Sequence, residues 1–156
     1  MTKTNAARIL DTHNIKYELI SYEVDENDLS APTVAAKLGQ DIDQVFKTLV
    51  LRGDKSGIIV AVIPGAEELD LKKMAKASGN KSVEMVAMKE LLELTGYIRG
   101  GCSPIGMKKK YPTFIHETCI LFDFIFISAG IRGLQFQINP NDLVEVTGAT
   151  IADVSS

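Results

Sequence analysis

The chain has 156 residues, 46% hydrophobic and 24% charged, with 17 Lys and Arg against 20 Asp and Glu for a formal net charge of −3. That length suits one domain, expected over 1–156; no 18-residue apolar run could form a transmembrane helix, and the polar start Met1-Thr2-Lys3-Thr4-Asn5 lacks the apolar stretch of a secretory signal, so a cytoplasmic protein is expected. The charge argues against a surface that binds nucleic acid everywhere, and Cys102 and Cys119, outside any C-x-x-C pair, are too few for a disulfide framework or a zinc site and read as reduced thiols.

The first predicted element is a helix over about Thr4 to His13, with Thr4 as N-cap, Ala6, Ile9 and Leu10 on one face and Asn14 as the stop. A strand follows at Lys16 to Tyr22, then the acidic loop Asp25-Glu26-Asn27-Asp28. Ser30-Ala31-Pro32 opens a short helix through Leu38 that Gly39 ends. Val45 to Leu51 reads as a buried strand, rich in β-branched, aromatic and aliphatic residues; it pairs antiparallel with Gly57 to Ile63 across the turn Arg52-Gly53-Asp54-Lys55-Ser56. Pro64-Gly65 breaks the second strand. Asp70 caps a helix whose buried face is Leu71, Met74 and Ala75 and which Gly79 ends, and another helix spans about Met88 to Leu94 and stops at Gly96. Strands are expected near Thr113 to His116, Phe124 to Ser128 and Leu134 to Ile138, and the turn Asn139-Pro140-Asn141-Asp142 leads into a last short helix. The hairpin breaks a strict βαβ alternation. The expected fold is mixed α/β: a curled, mixed, largely antiparallel sheet or barrel surrounded by helices.

Within the Val45 to Leu51 strand, Lys47 is out of place: an ammonium there must snorkel to water or be held for a reason. Two loops could surround it. Gly100-Gly101-Cys102-Ser103-Pro104-Ile105-Gly106 leads into Met107-Lys108-Lys109-Lys110, and Ser128-Ala129-Gly130-Ile131-Arg132-Gly133 follows the most apolar strand; glycines let backbone N–H groups approach a ligand closely. Arg99, Lys108, Lys109 and Lys110 bracket the first loop and could reach a phosphate backbone, whereas Lys72, Lys73 and Lys76 fit the solvated face of a helix.

Phosphate-loop, dinucleotide, nucleophile-elbow and H-E-x-x-H patterns are missing. Two histidines cannot make a multi-histidine metal site; His13 closes a helix and His116 falls at a strand end, and no metal or cofactor is expected. Cys102 could be a nucleophile paired with His116, or a small side chain filling a turn; no local signature joins it to a base, so neither cysteine and neither histidine is expected to do chemistry. Ser103 and Ser128 remain as hydrogen-bond donors. Backbone amides, hydroxyls and Lys47 together can stabilise an oxyanion without supplying a nucleophile.

Several segments, in order along nearly the whole chain, carry a resemblance: Tyr17-Glu18 through Tyr22, Val45-Phe46-Lys47-Thr48-Leu49, Leu69-Asp70-Leu71-Lys72-Lys73, Thr95-Gly96-Tyr97-Ile98-Arg99-Gly100-Gly101-Cys102-Ser103-Pro104-Ile105-Gly106 and Ser128-Ala129-Gly130-Ile131-Arg132-Gly133-Leu134. The chain resembles the YbaK/EbsC aminoacyl-tRNA deacylases, free-standing relatives of the editing domain of bacterial prolyl-tRNA synthetase. The resemblance implies a trans-editing enzyme that removes cysteine from the proline tRNA, and also from the cysteine tRNA. It places the required lysine on Lys47, its neighbouring threonine on Thr48, a pocket tyrosine on Tyr22, the glycine-loop backbone on Gly100, Gly101 and Ser103, and the second loop on Ser128 and Gly130. Lys47 would then hold the terminal adenosine region and the ester oxygens while the substrate's own thiol attacks. The implied partners are tRNA, whose phosphates the basic residues Arg99, Lys108 and Lys109 could contact, and prolyl-tRNA synthetase. Where some relatives carry an acidic residue after R-G-L, this chain has Gln135. A deacylase for another small amino acid such as alanine, and a non-catalytic module for an aminoacyl or nucleotide-like ligand, are the competing readings.

Overall fold

The computed structural model describes residues 3–156; Met1 and Thr2, the first residues of the polar start, lie outside the described residues. Helix α1 (Asn5–Thr12) begins where Thr4 Oγ1 accepts from the Ala7 amide at 3.2 Å, and the chain turns away as Asn14 adopts φ 58°, a left-handed conformation that Asn tolerates. Then come β1 (Tyr17–Ser21), α2 (Ala31–Leu38), the hairpin β2 (Phe46–Gly53) and β3 (Gly57–Pro64), α3 (Leu71–Ser78), β4 (Val83–Met85) and α4 (Met88–Thr95). The remainder is β5 (Thr113–His116), β6 (Ile125–Ser128), β7 (Leu134–Ile138), α5 (Pro140–Thr147) and β8 (Thr150–Ala152).

The strands form two sheets. One is three-stranded and antiparallel, in the order β1-β7-β6; the other is mixed, in the order β4-β2-β3-β5-β8, with β3–β5 and β5–β8 parallel. The fold is mixed α/β as expected, but the single curled sheet or barrel is corrected: the two sheets do not close on one another, and one backbone bridge, Val45 to Phe126, connects them. The sequence did not reveal β4 and β8 because three residues are too few to show a period of two. Val45 and Phe124, expected as strand ends, lie just outside β2 and β6.

The antiparallel register sets Phe46 opposite Pro64 and Lys47 opposite Ile63. β3 is apolar throughout because both its faces are covered. Val60 and Val62 meet Phe46, Ile115 and the small-sheet residues Ile125, Ile127 and Phe136, closed by Leu10 of α1 and Leu143 of α5. Ile59, Ala61 and Ile63 turn the other way, onto Leu51, Phe114 and Met74 and Ala75 of α3. Burying each such Val or Ile contributes about 1.5–3 kcal/mol. Leu71, expected on the buried face of α3, is 46% exposed: it occupies the first helical position, outside the cluster that Met74 and Ala75 join. On the far face of β6, a third cluster packs Val34 and Ala35 of α2 against Val45 and Phe126.

Asn80 clamps the β2–β3 turn. Its Oδ1 accepts from the Lys55 and Ser56 amides, both at 2.9 Å, and its Nδ2 donates to Ser56 Oγ and Ser78 Oγ. Asn80→Ala should therefore lower the unfolding free energy by about 0.5–1.5 kcal/mol in a urea titration, because the exposed Lys55 and Ser56 amides exchange a fixed acceptor for water.

Candidate active site

A cleft of about 380 Å³ opens where the start of β2, the first turn of α2 and the loops after α4 and β6 meet. Strand parity builds one wall. Ile127 and Phe136 face the core, so the next register pair, Ser128 of β6 and Gln135 of β7, faces the opposite side and lines the cleft. Lys47 and Thr48 form a second wall, Ser30 and Ala31 a third, and Arg99, Gly100 and Cys102 a fourth.

Lys47 is half-buried, and its Nζ donates to the Gly65 carbonyl at 3.2 Å. Burial pushes its ammonium below the ordinary lysine pKa, and the charges of Glu68 and Glu67 partly offset that shift. Gly65 has no room for a side chain: a Cβ would lie 2.2 Å from Ala31 Cβ and 2.9 Å from the Val45 carbonyl, which accepts the Gly65 N–H at 2.7 Å. Close approach of α2 to the end of β3 thus requires the glycine that the sequence presents as a strand breaker.

Tyr97 fastens the two glycine loops to each other. Its hydroxyl donates to the Ile105 carbonyl at 2.5 Å, and its ring packs 3.1 Å from where a Gly130 Cβ would stand, at a residue whose φ is 108°. Burial pushes the Tyr97 phenol up to about 12. Arg132 adds a clasp at the mouth: Nε donates to the Arg99 carbonyl at 2.8 Å and Nη1 to Glu26 at 2.7 Å.

The structure therefore gathers Lys47, Thr48, Arg99, Gly100 and Ser128 in one cleft. Other expected residues stand behind it. Ser103 is fully buried and its Oγ accepts from the Ile105 amide at 3.2 Å; Gly101 packs against the backbone of Ile131 and Arg132; Gly130 donates its N–H to Ser128 Oγ. Tyr22 packs on the Val34 and Phe126 cluster rather than on the cleft lining, with its N–H donating to the Gly133 carbonyl. Lys108 and Lys109 are exposed beyond the glycine loop, and Lys109 borders a separate groove with His13 and Lys110. The reading of the sequence gave no cleft role to Gln135, noted only as a departure from some relatives, or to Ser30, Ala31 and Gly65, noted only as a helix start and a strand breaker. Alternation of Gln135 and Gln137 with Leu134, Phe136 and Ile138 signals an ordinary polar face, and only the packing of α2 covers part of it.

Cys102 lines the cleft, but burial pushes its thiol up to about 12, so it is a thiol and not a thiolate at neutral pH. Both ring nitrogens of His116 are engaged elsewhere, Nδ1 accepting from the Val154 amide at 3.2 Å and Nε2 paired with Ser155 Oγ at 3.1 Å. Among the described residues no three His, Cys, Asp or Glu side chains gather as a metal site, and no helix is long and apolar enough to cross a membrane.

Such a cleft defines a class: an α/β domain whose pocket sets a half-buried cation among hydroxyl and amide side chains and brings no activated nucleophile. Comparison with known proteins sharpens it. A family model described as the aminoacyl-tRNA editing domain matches residues 25–146, and the chain belongs to that family. It is 49% identical over 154 residues, 99% of this chain and 94% of the other, to EbsC of Enterococcus faecalis, provisionally named a Cys-tRNA(Pro)/Cys-tRNA(Cys) deacylase. It is 25% identical over 133 residues, 81% of this chain but 23% of the other, to the proline–tRNA ligase of Thermosipho melanesiensis. A solved structure provisionally described as a trans-editing enzyme for prolyl tRNA synthetase superposes with a TM-score of 0.82 at 25% identity, covering 99% of each chain.

The raised thiol pKa predicts that Cys102→Ala keeps most of the wild-type turnover and that iodoacetamide at pH 7 leaves the cleft unmodified, which mass spectrometry of the treated protein would check.

Proposed function

We propose that this protein is a trans-editing aminoacyl-tRNA deacylase that works in the cytoplasm as one domain over 1–156 and removes cysteine from mischarged proline tRNA, and from cysteine tRNA. The likeness to EbsC and to a 133-residue stretch of a proline–tRNA ligase supports the substrate class. One observation carries the mechanism: the cleft offers the cations of Lys47 and Arg99, while the thiol in its lining is protonated and buried.

In this reading Lys47, with Thr48 beside it, holds the terminal adenosine region and the ester oxygens; Gly100 and Ser128 hold the aminoacyl end; and Tyr22, Gly101, Ser103 and Gly130 keep the walls in place. The substrate supplies the nucleophile. Its cysteine sulfur attacks the ester carbonyl, the new S–C bond closes a thiolactone ring, the bond to the ribose oxygen breaks, and the thiol proton ends on that oxygen. Covalent tethering gives the thiol a high effective concentration at its own carbonyl, so the protein need only orient the ester and stabilise the oxyanion. Arg99 at the cleft and Lys108 and Lys109 beyond the glycine loop bind tRNA phosphates, and prolyl-tRNA synthetase is the partner that would present the mischarged tRNA.

Lys47→Met should lower deacylation at least roughly a hundredfold without lowering the melting temperature, because it removes an oxyanion-type contact together with the desolvation burden of the ammonium. Retained turnover in that variant would remove Lys47 from the chemistry.

Single-turnover rates should fall steeply from Cys-tRNA to Ser-tRNA to Ala-tRNA, since a hydroxyl is a poorer nucleophile than a thiol and a methyl group is none. Size alone cannot produce that order, being worth only about 1–3 kcal/mol per methylene in an apolar pocket. Comparable cleavage of Ala-tRNA would instead identify a water-dependent hydrolase for small amino acids.

Replacing Arg99, Lys108 and Lys109 together should weaken binding of different tRNAs alike and flatten the slope of log K against log salt, measured by filter binding. An unchanged slope would return the three to an ordinary solvated surface.

A further inference from the structure

Two buried side-chain polar atoms among the described residues take no hydrogen bond, Thr118 Oγ1 and Gln135 Oε1. Only Gln135 lines the cleft, where it is 5% exposed. A carbonyl sealed from water without a donor loses its hydration and gains nothing in exchange, so its persistence in a binding cleft points to a donor that arrives with the ligand.

The charge of the cleft narrows the choice. Lys47 and Arg99 are its charged lining residues, and no Asp or Glu belongs to that lining. Donors for an ester carbonyl or a phosphate are plentiful, whereas acceptors are scarce. The Gly65 carbonyl already takes Lys47 Nζ, and Ser128 Oγ takes the Gly130 N–H. Gln135 is the register partner of Ser128, so the two side chains stand next to each other on one face, and a half-turn about the last side-chain bond brings either end of the amide to the cleft. An aminoacyl ester carries one donor-rich group next to its carbonyl carbon, the α-amino group.

We propose that Gln135 is a specificity residue that binds the α-amino group of the esterified amino acid, its side-chain carbonyl accepting an N–H from that group while Ser128 Oγ stands alongside. This rests on the deacylase reading above. The contact fixes the rotation about the bond between the α-carbon and the carbonyl, and with it the approach of the side-chain thiol to the carbonyl carbon. A neutral acceptor suits this cleft, because it does not draw Lys47 away from the ester oxygens as a carboxylate would.

The test compares Cys-tRNA with tRNA esterified by 3-mercaptopropionate, which keeps the thiol and lacks the amino group, under single-turnover conditions. Wild-type protein should cleave Cys-tRNA at least roughly tenfold faster than the analogue. Gln135→Met should lower the Cys-tRNA rate about tenfold or more while leaving the analogue within about twofold, and Gln135→Glu, which keeps an acceptor but also attracts Lys47, should keep the preference for Cys-tRNA over the analogue while slowing both. Gln135→Leu provides the same ratio should the methionine variant fail to fold in a thermal scan. A ratio unmoved by the methionine or leucine substitution, whether both rates fall alike or neither falls, would overturn the assignment while leaving the deacylase reading intact. Failure of the wild-type protein to cleave Cys-tRNA at all would overturn the deacylase reading and this inference together.

Discussion

The register that sets Lys47 against Ile63 across the β2–β3 hairpin governs the rest of the site. A strand has a period of two, so a slip of one residue would carry Phe46, Val60 and Val62 out of the main core and bring Lys47 onto the face they occupy. Apolar contacts on both faces of β3 oppose that slip. The ammonium therefore stands at the end of the hairpin, where Gly65 ends the strand and its carbonyl accepts from Nζ. A cation is tolerable there because the cleft leaves it half-exposed; at Leu51, which is fully buried in the same strand, it would have no such outlet.

The two sheets divide the work of the molecule. The five-stranded sheet with α3 is mostly packing, and its hairpin turn is secured by Asn80 far along the chain from either strand. The three-stranded sheet presents one face to the core and the other to the cleft, and that second face carries the polar pair Ser128 and Gln135. The Val45 to Phe126 bridge brings the sheets together at the cleft. Catalysis built on such a scaffold depends on placement more than on reactivity, which agrees with a thiol and a phenol whose ionisation burial suppresses.

Residues that the sequence marks as functional divide by depth. Lys47, Thr48, Arg99, Gly100 and Ser128 reach the cleft, while Ser103, Gly101 and Gly130 give the loops the shape that places them. Glycine and serine in a loop carry the same signal whether they touch a ligand or support a neighbour. Tyr97 shows the converse: its place between two glycines gives no indication that one side chain fastens both loops.

By itself the sequence determined the elements and the unusual cation. Caps at Thr4 and Asp70 and glycine stops at Gly39, Gly79 and Gly96 are local, set by dihedral preference and short-range hydrogen bonds, and they stand where the pattern puts them; the hairpin is also where expected, but its strands continue through Arg52 and Gly53 and leave only Asp54 to Ser56 as the turn. Lys47 was legible because a charge within an apolar strand is conspicuous in any fold. Tertiary structure alone decided that there are two open sheets instead of one curled sheet, that Leu71 faces water, that Gly65 is a contact point for α2, and that Gln135 looks into a cleft instead of into solvent. Each of these depends on which surface meets a segment tens of residues away, and a period of two or 3.6 residues tells which side chains share a face without telling what covers it.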